Sequence, residues 1–100
     1  MDKFIFSVSY EIIPEKRTEY LQLMQQIKQR MNEAADFEYT VYEDALRPNA
    51  MTEVYFLKSE KDMEKVRQLQ ASKTDVLINR IDEFVLNLDQ VAIRRYNAIV

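Results

Sequence analysis

The sequence predicts an α+β domain of the split βαβ, ferredoxin-like kind, β-α-β-β-α-β, with one antiparallel sheet and helices on one of its faces. Three observations predict it. Apolar residues alternate with period two in four short stretches, 4–12, 37–43, 51–58 and 91–97. Spacings of three and four fill the longer stretches after Pro14 and after Ser59. The length of 100 residues suits one domain, so 1–100 is read as a single unit. This arrangement carries the strand order 4-1-3-2, with the first strand central.

In the first stretch Phe4, Phe6, Val8, Tyr10 and Ile12 share a face, opposite Ile5, Ser7, Ser9 and Glu11. Alternating aromatic and β-branched residues make a strand with one strongly apolar side. Pro14 then suits the first turn of a helix, where its missing N–H costs nothing. Glu15 stands at the positive end of the helix dipole. Tyr20, Met24, Ile27, Met31 and Ala34 recur at helical spacing, widened by Leu21 and Leu23, which makes an amphipathic helix of about five turns. With no glycine available, Asn32 or Asp36 is expected to take a left-handed cap at its end.

In 37–43, Phe37, Tyr39 and Val41 oppose Glu38, Thr40 and Tyr42. Arg47-Pro48-Asn49 is a turn signal. The next stretch therefore reads as the return of a hairpin, with Val54 and Phe56 on one face and Glu53, Tyr55 and Leu57 on the other. Ser59 and Asp62 form a variant capping box for a second helix carried by Met63, Val66 and Leu69. A break near 71–73 and a cap at Thr74 lead to a further helical run through Leu77, Ile81, Phe84, Val85 and Leu88. In the last strand Val91 and Ile93 oppose Arg94 and Tyr96.

Composition narrows the chemistry. The net charge is −3 and basic residues are dispersed, so no footprint for nucleic acid exists. Wholly apolar runs are mostly two or three residues, as in Ala98-Ile99-Val100, and reach four at Val54-Tyr55-Phe56-Leu57, too short for a membrane span or a signal-peptide core. The expectation is a cytoplasmic protein. Cysteine and histidine are both absent, which excludes disulfides, thiolate nucleophiles, zinc-cysteine sites and serine-histidine triads. Glycine is absent too, which excludes phosphate loops and dinucleotide fingerprints. No metal and no cofactor is expected. Any catalysis rests on Asp, Glu, Lys, Tyr, Ser, Thr and Arg, or on the substrate's own reactivity.

The alternation assigns two faces to the sheet. Phe4, Phe6, Val8, Phe37, Tyr39, Val41, Val54, Phe56, Val91 and Ile93 are expected beneath the helices. The other face carries Ile5, Ser7, Ser9, Tyr42, Tyr55, Leu57 and Tyr96, with Glu11, Glu53 and Arg94. Such an aromatic face suits a partner better than water. The economical reading is a homodimer packed sheet to sheet, with Ser7, Ser9, Glu53, Tyr55, Arg94 and Tyr96 at its interface.

FSVSYEIIPEKRTEYLQLM resembles the opening strand and helix of the antibiotic-biosynthesis-monooxygenase-like, dimeric α/β-barrel proteins. YEDALRPNAMTEVYFLKSEKDM is similar to that family's second half: a Tyr-Glu strand end (Tyr42-Glu43), a proline loop (Pro48), a Glu-x-aromatic strand (Glu53-Val54-Tyr55) and a helix. The resemblance covers about residues 3–70, and its motifs encode fold more than chemistry. It implies a dimer and a small hydrophobic pocket between sheet and helices. Some members oxidise aromatic polyketides without metal or flavin, and others degrade haem. The histidine that the family carries after the third strand would fall near Val66 or Arg67. The haem degraders also use a tryptophan, and an asparagine that would fall near Ser7. All three are missing, so the haem-degrading pattern is not met.

Two functions follow as expectations. One is a cofactor-independent, monooxygenase-like enzyme acting on a small aromatic or hydrophobic molecule. The other is a non-catalytic homodimeric module that binds a small molecule or serves structure alone. Tyr10, Tyr39, Met24 and Met63 are the candidate pocket residues, although core packing is the commoner role for tyrosine and methionine at such positions. Glu53 and Tyr55 could be an acid and a substrate contact at a pocket mouth. Their place in the alternation favours the interface instead. Asp75, Asn79 and Asp82 share a helical face, which reads as solvated rather than as a metal site. Arg94 and Arg95 point to opposite sides of a strand and make no single clamp. No catalytic residue is assigned.

Overall fold

Residues 3–71 and 76–100 are described by a computed structural model. Four strands form one antiparallel sheet: β1 (Phe4–Glu11), β2 (Glu38–Glu43), β3 (Ala50–Leu57) and β4 (Ala92–Asn97). Their order is β2-β3-β1-β4, the split βαβ order with β1 inside the sheet. Among the described residues, no helix is long and apolar enough to cross a membrane.

The proline after β1 starts a short 3-10 turn, Pro14–Lys16, which runs into α1 (Arg17–Ala34). The helical stripe buries Tyr20, Leu23, Met24, Ile27 and Met31 against the sheet. The helix ends differently from expectation. Ala35 is extended at φ −152°, and its N–H donates to the Met31 carbonyl. Neither Asn32 nor Asp36 is left-handed. The chain passes almost directly from helix into β2, so an extended cap suffices.

Among the described residues the left-handed residue is Asn49, at φ 70°. It is the third residue of a turn closed by the Ala50 N–H on the Arg47 carbonyl at 3.2 Å. Proline second and asparagine third is the sequence of a type II turn. The turn is anchored from both sides: Arg17 Nη1 donates to Asn49 Oδ1 at 2.9 Å, and the Asn49 N–H donates to Glu43 at 2.8 Å.

α2 (Glu60–Ala71) begins at its capping box. Ser59 Oγ accepts from the Asp62 N–H at 3.3 Å, and the Asp62 carboxylate accepts from the Lys58 N–H at 3.0 Å. The expected cap at Thr74 and the candidate Asp75 lie outside the described residues. α3 (Val76–Asn79) is followed by a 3-10 segment, Arg80–Phe84. Here the sequence reading needs correction, because Val85 and Leu88 do not continue the helix. Val85 is extended and bridges Ile12. The Ile13 N–H donates to the Phe84 carbonyl and the Leu86 N–H to the Glu11 carbonyl, each at 2.8 Å. Backbone groups at the end of β1 would otherwise lack partners, and this segment leaves the helix to supply them.

The register settles the two faces. Phe6 pairs with Tyr55 and Val8 with Glu53, while Tyr39 pairs with Tyr55 and Val41 with Glu53. Directly paired residues share a face. Glu53, Tyr55 and Leu57 therefore lie beneath the helices, and Val54 and Phe56 occupy the open face. This reverses the reading of β3 and removes Glu53 and Tyr55 from the open face. Ser7, Ser9, Arg94 and Tyr96 do lie there, and Ser9 Oγ bonds Thr52 Oγ1 at 2.9 Å. Ile93 is on the helix side of the edge strand, yet it is 63% exposed.

Candidate functional site

Burying a carboxylate away from water is costly unless it is neutral or well paired. Glu53 is the one acidic residue in the buried core of the described chain, at 4% exposure. Burial pushes its carboxyl above the ordinary glutamate range, and Asp82 pushes the same way. Tyr39 and Tyr10 pull against that by interacting with the charged form. Tyr39 donates its hydroxyl to Glu53 Oε1 at 2.5 Å. Tyr10 makes a looser interaction with the same carboxyl.

Four tyrosines from four elements gather around this acid. Tyr10 of β1 and Tyr20 of α1 share a hydroxyl–hydroxyl bond of 2.8 Å, with their rings edge to face. Tyr39 of β2 and Tyr55 of β3 pack at a centroid separation of 4.8 Å. The Tyr55 hydroxyl accepts from Gln70 Nε2 of α2 at 3.4 Å. Burial raises all four phenols, so they stay protonated well above their usual range. No buried side-chain polar atom is left without a partner among the described residues. The sheet alternation makes this assembly, since Tyr10, Tyr39, Glu53 and Tyr55 all occupy its helix side.

A cavity of about 180 Å³ opens beside Glu53. Val8 and Tyr10 of β1 and Glu53 and Tyr55 of β3 form its sheet wall. Gln70, Ile78, Asn79, Ile81 and Asp82 come from the helical side, and Val85 and Val91 from the connection to β4. An apolar cavity of roughly 150 Å³ is enough to hold benzene. This one, at about 180 Å³, matches a single ring with a small substituent. Its acid, its phenols and its carboxamides can hydrogen-bond a ligand, and its aliphatic walls can hold a ring.

Of the residues proposed from sequence as pocket-lining, Tyr10 lines this cavity. Tyr39 does not, but it holds the acid that does. Met24 and Met63 are buried in the core, 4% exposed each, and are absent from the cavity wall. Glu53 and Tyr55 line it instead of a sheet-to-sheet surface. Asn79 and Asp82, read from sequence as a solvated face, contribute to its mouth. Among the described residues no three acidic side chains gather as metal ligands. Arg95 pairs with Glu60 at 2.7 Å and lies 3.7 Å over the Phe4 ring, on the other side of β4 from Arg94.

No family model matches the sequence, and no curated protein matches it. Solved structures do match. A conserved protein from Methanosarcina mazei Go1 superposes with a TM-score of 0.78 at 16% identity, over 96% of this chain and 92% of its own. A structure named antibiotic biosynthesis monooxygenase gives 0.75 at 15% identity, with both chains wholly covered. A candidate antibiotic biosynthesis monooxygenase from Deinococcus radiodurans gives 0.72 at 18% identity, over 95% of this chain and 91% of its own. The chain has the fold of these proteins. At such identities the likeness speaks for the fold alone.

Proposed function

We propose that the cavity at Glu53 binds a one-ring aromatic molecule and that the protein oxidises it with O₂, without metal or flavin. The observation that carries this reading is a buried acid, its carboxyl pushed up by burial, on the wall of a ring-sized cavity. The shared fold with structures named as monooxygenases supports it.

For a phenol the reaction balances as phenol plus O₂ giving p-quinone and water. O₂ adds to the para carbon, and the phenolic proton ends on the outer peroxide oxygen. The O–O bond then breaks, and the outer oxygen leaves as water after taking the Glu53 proton. The para C–H proton returns to the Glu53 carboxylate. The ring supplies all the electrons, and Glu53 ends as it began. A positioned acid–base group is worth about 10²–10⁴-fold in rate. Oxygen uptake matched one to one by quinone absorbance, with kcat lowered at least a hundredfold by Glu53→Gln, is the expected result. Ring binding without any oxygen uptake overturns the oxygenase and leaves a binding module.

We propose also that two copies pack through their open sheet faces. Ile5, Val54 and Phe56 lie there, with Tyr42 51% and Tyr96 49% exposed. An apolar, tyrosine-rich face of this kind suits an interface. Light scattering at micromolar concentration is expected to give twice the chain mass, and Phe56→Glu to halve it. A monomer mass for the unaltered protein defeats the dimer.

A further inference from the structure

We propose that the Glu53 cavity selects a small protonated amine, a one-ring molecule whose ammonium sits against Asp82 at the mouth while its ring reaches Glu53 at the floor. The inference rests on the cavity being a small-molecule site, as argued above, and adds the charge of the ligand.

The argument is the charge of the wall. The charged residue types lining the cavity are Glu53 and Asp82, and among the described residues no lysine or arginine lines it. Glu53 is buried, and its Oε1 takes the Tyr39 hydroxyl. Asp82 is exposed on the segment Arg80–Phe84, whose buried Ile81 and Phe84 fix it to the core. The cation nearest in sequence, Arg80, is already engaged by Glu83 at 3.3 Å. Asp82 itself has no ion pair among the described residues.

A carboxylate or phosphate in this cavity would meet Asp82 with no compensating lysine or arginine among the described lining residues, and like charge disfavours its entry. An ammonium at the mouth gains a partner while still touching water, so it does not bear the full cost of desolvation. Such a half-exposed pair is worth about fivefold in affinity at low salt. Tyr10 and Tyr55 belong to the same wall and add aromatic surface to it.

The test is anaerobic calorimetric titration at pH 7 and low salt with three matched probes that leave the carbon para to the hydroxyl free: 3-hydroxybenzylamine, 3-hydroxybenzyl alcohol and 3-hydroxybenzoate. The amine is expected to bind about fivefold tighter than the alcohol, and the benzoate weakest. Asp82→Asn, an exposed substitution, is expected to bring the amine-to-alcohol ratio to about one. Equal binding of amine and alcohol, tighter binding of the benzoate, or a ratio that survives Asp82→Asn overturns the charge selection alone. Binding of none of the three removes the small-molecule site and this inference together.

Discussion

Tyr39 donates its hydroxyl to Glu53 Oε1 at 2.5 Å, on a diagonal between neighbouring strands. The bond holds the acid of the candidate site in place from outside the cavity. Tyr39→Phe leaves a buried oxygen without its donor, which costs about 1–3 kcal/mol of stability. It also removes an influence that lowers the Glu53 carboxyl, so that group moves further up. Urea denaturation together with a carbon-13 titration of Glu53 checks both. An unchanged titration would show that the bond does not act on the acid.

The raised Glu53 carboxyl has a defined effect on stability. Its unfolded value is about 4.3. Between that and the higher folded value the folded state holds the extra proton, so stability falls as pH rises through the window. Below about 4.3 this term is fully favourable, and above the folded value it is lost. Glu53→Gln mimics the neutral acid and removes the dependence. The variant should gain on the parent as pH rises from about 4, measured by urea midpoints. A difference that does not vary with pH contradicts the assignment.

Glu43 behaves in the opposite sense. Bonding to the Arg17 guanidinium and the Asn49 N–H holds its carboxyl down, at about 2. The stability it contributes is present above the unfolded value of about 4.3 and fades as pH falls towards the folded one. Arg17→Met should raise the Glu43 titration by NMR and flatten the acid limb of the stability curve. A Glu43 titration unmoved by Arg17→Met would assign the shift to Asn49.

Asn49 is left-handed and also accepts from Arg17. Alanine there meets a steric cost of about 1–2 kcal/mol and loses the bond. Glycine loses the bond but relaxes the backbone. Melting temperatures should fall in the order parent, Asn49→Gly, Asn49→Ala. Alanine matching glycine would mean that the side-chain bond alone matters.

Tyr10 and Tyr20 satisfy each other's buried hydroxyls. Tyr10→Phe orphans the Tyr20 hydroxyl, at about 1–3 kcal/mol, whereas Tyr20→Phe leaves the Tyr10 hydroxyl with the Glu53 carboxyl and costs less. The double change should cost less than the sum of the two, which a double-mutant cycle reads directly. Strict additivity would mean that the bond contributes nothing.

How much was legible depended on whether local pattern or long-range partner decided the outcome. β1 and α1 follow from clean periodicities, and Pro14 marks the change between them. β3 was misread because Glu53 is its only charge. Pattern reasoning sends a lone charge outward, since an ionised carboxylate is expensive to bury. The acid is instead housed by phenols from other elements, and no spacing within β3 records them. The register held the missing signal, because Val41 pairs with Glu53 on the face that Tyr39 shares. Likewise Val85 fits a helical stripe by spacing, yet the end of β1 claims it for pairing. The cavity was unreadable because its wall joins residues as distant as Val8 and Val91.

The tyrosine cluster gives the molecule an optical property of its own. The chain has no tryptophan, so its near-ultraviolet emission comes from tyrosine, of which there are six. Tyr10, Tyr20, Tyr39 and Tyr55 crowd around Glu53, while Tyr42 and Tyr96 stand on the open sheet face. Four of the six absorbing phenols therefore lie within reach of one carboxyl. A transparent ligand entering the cavity should change the intensity without any attached dye, and a partner covering the open face should leave that larger share untouched.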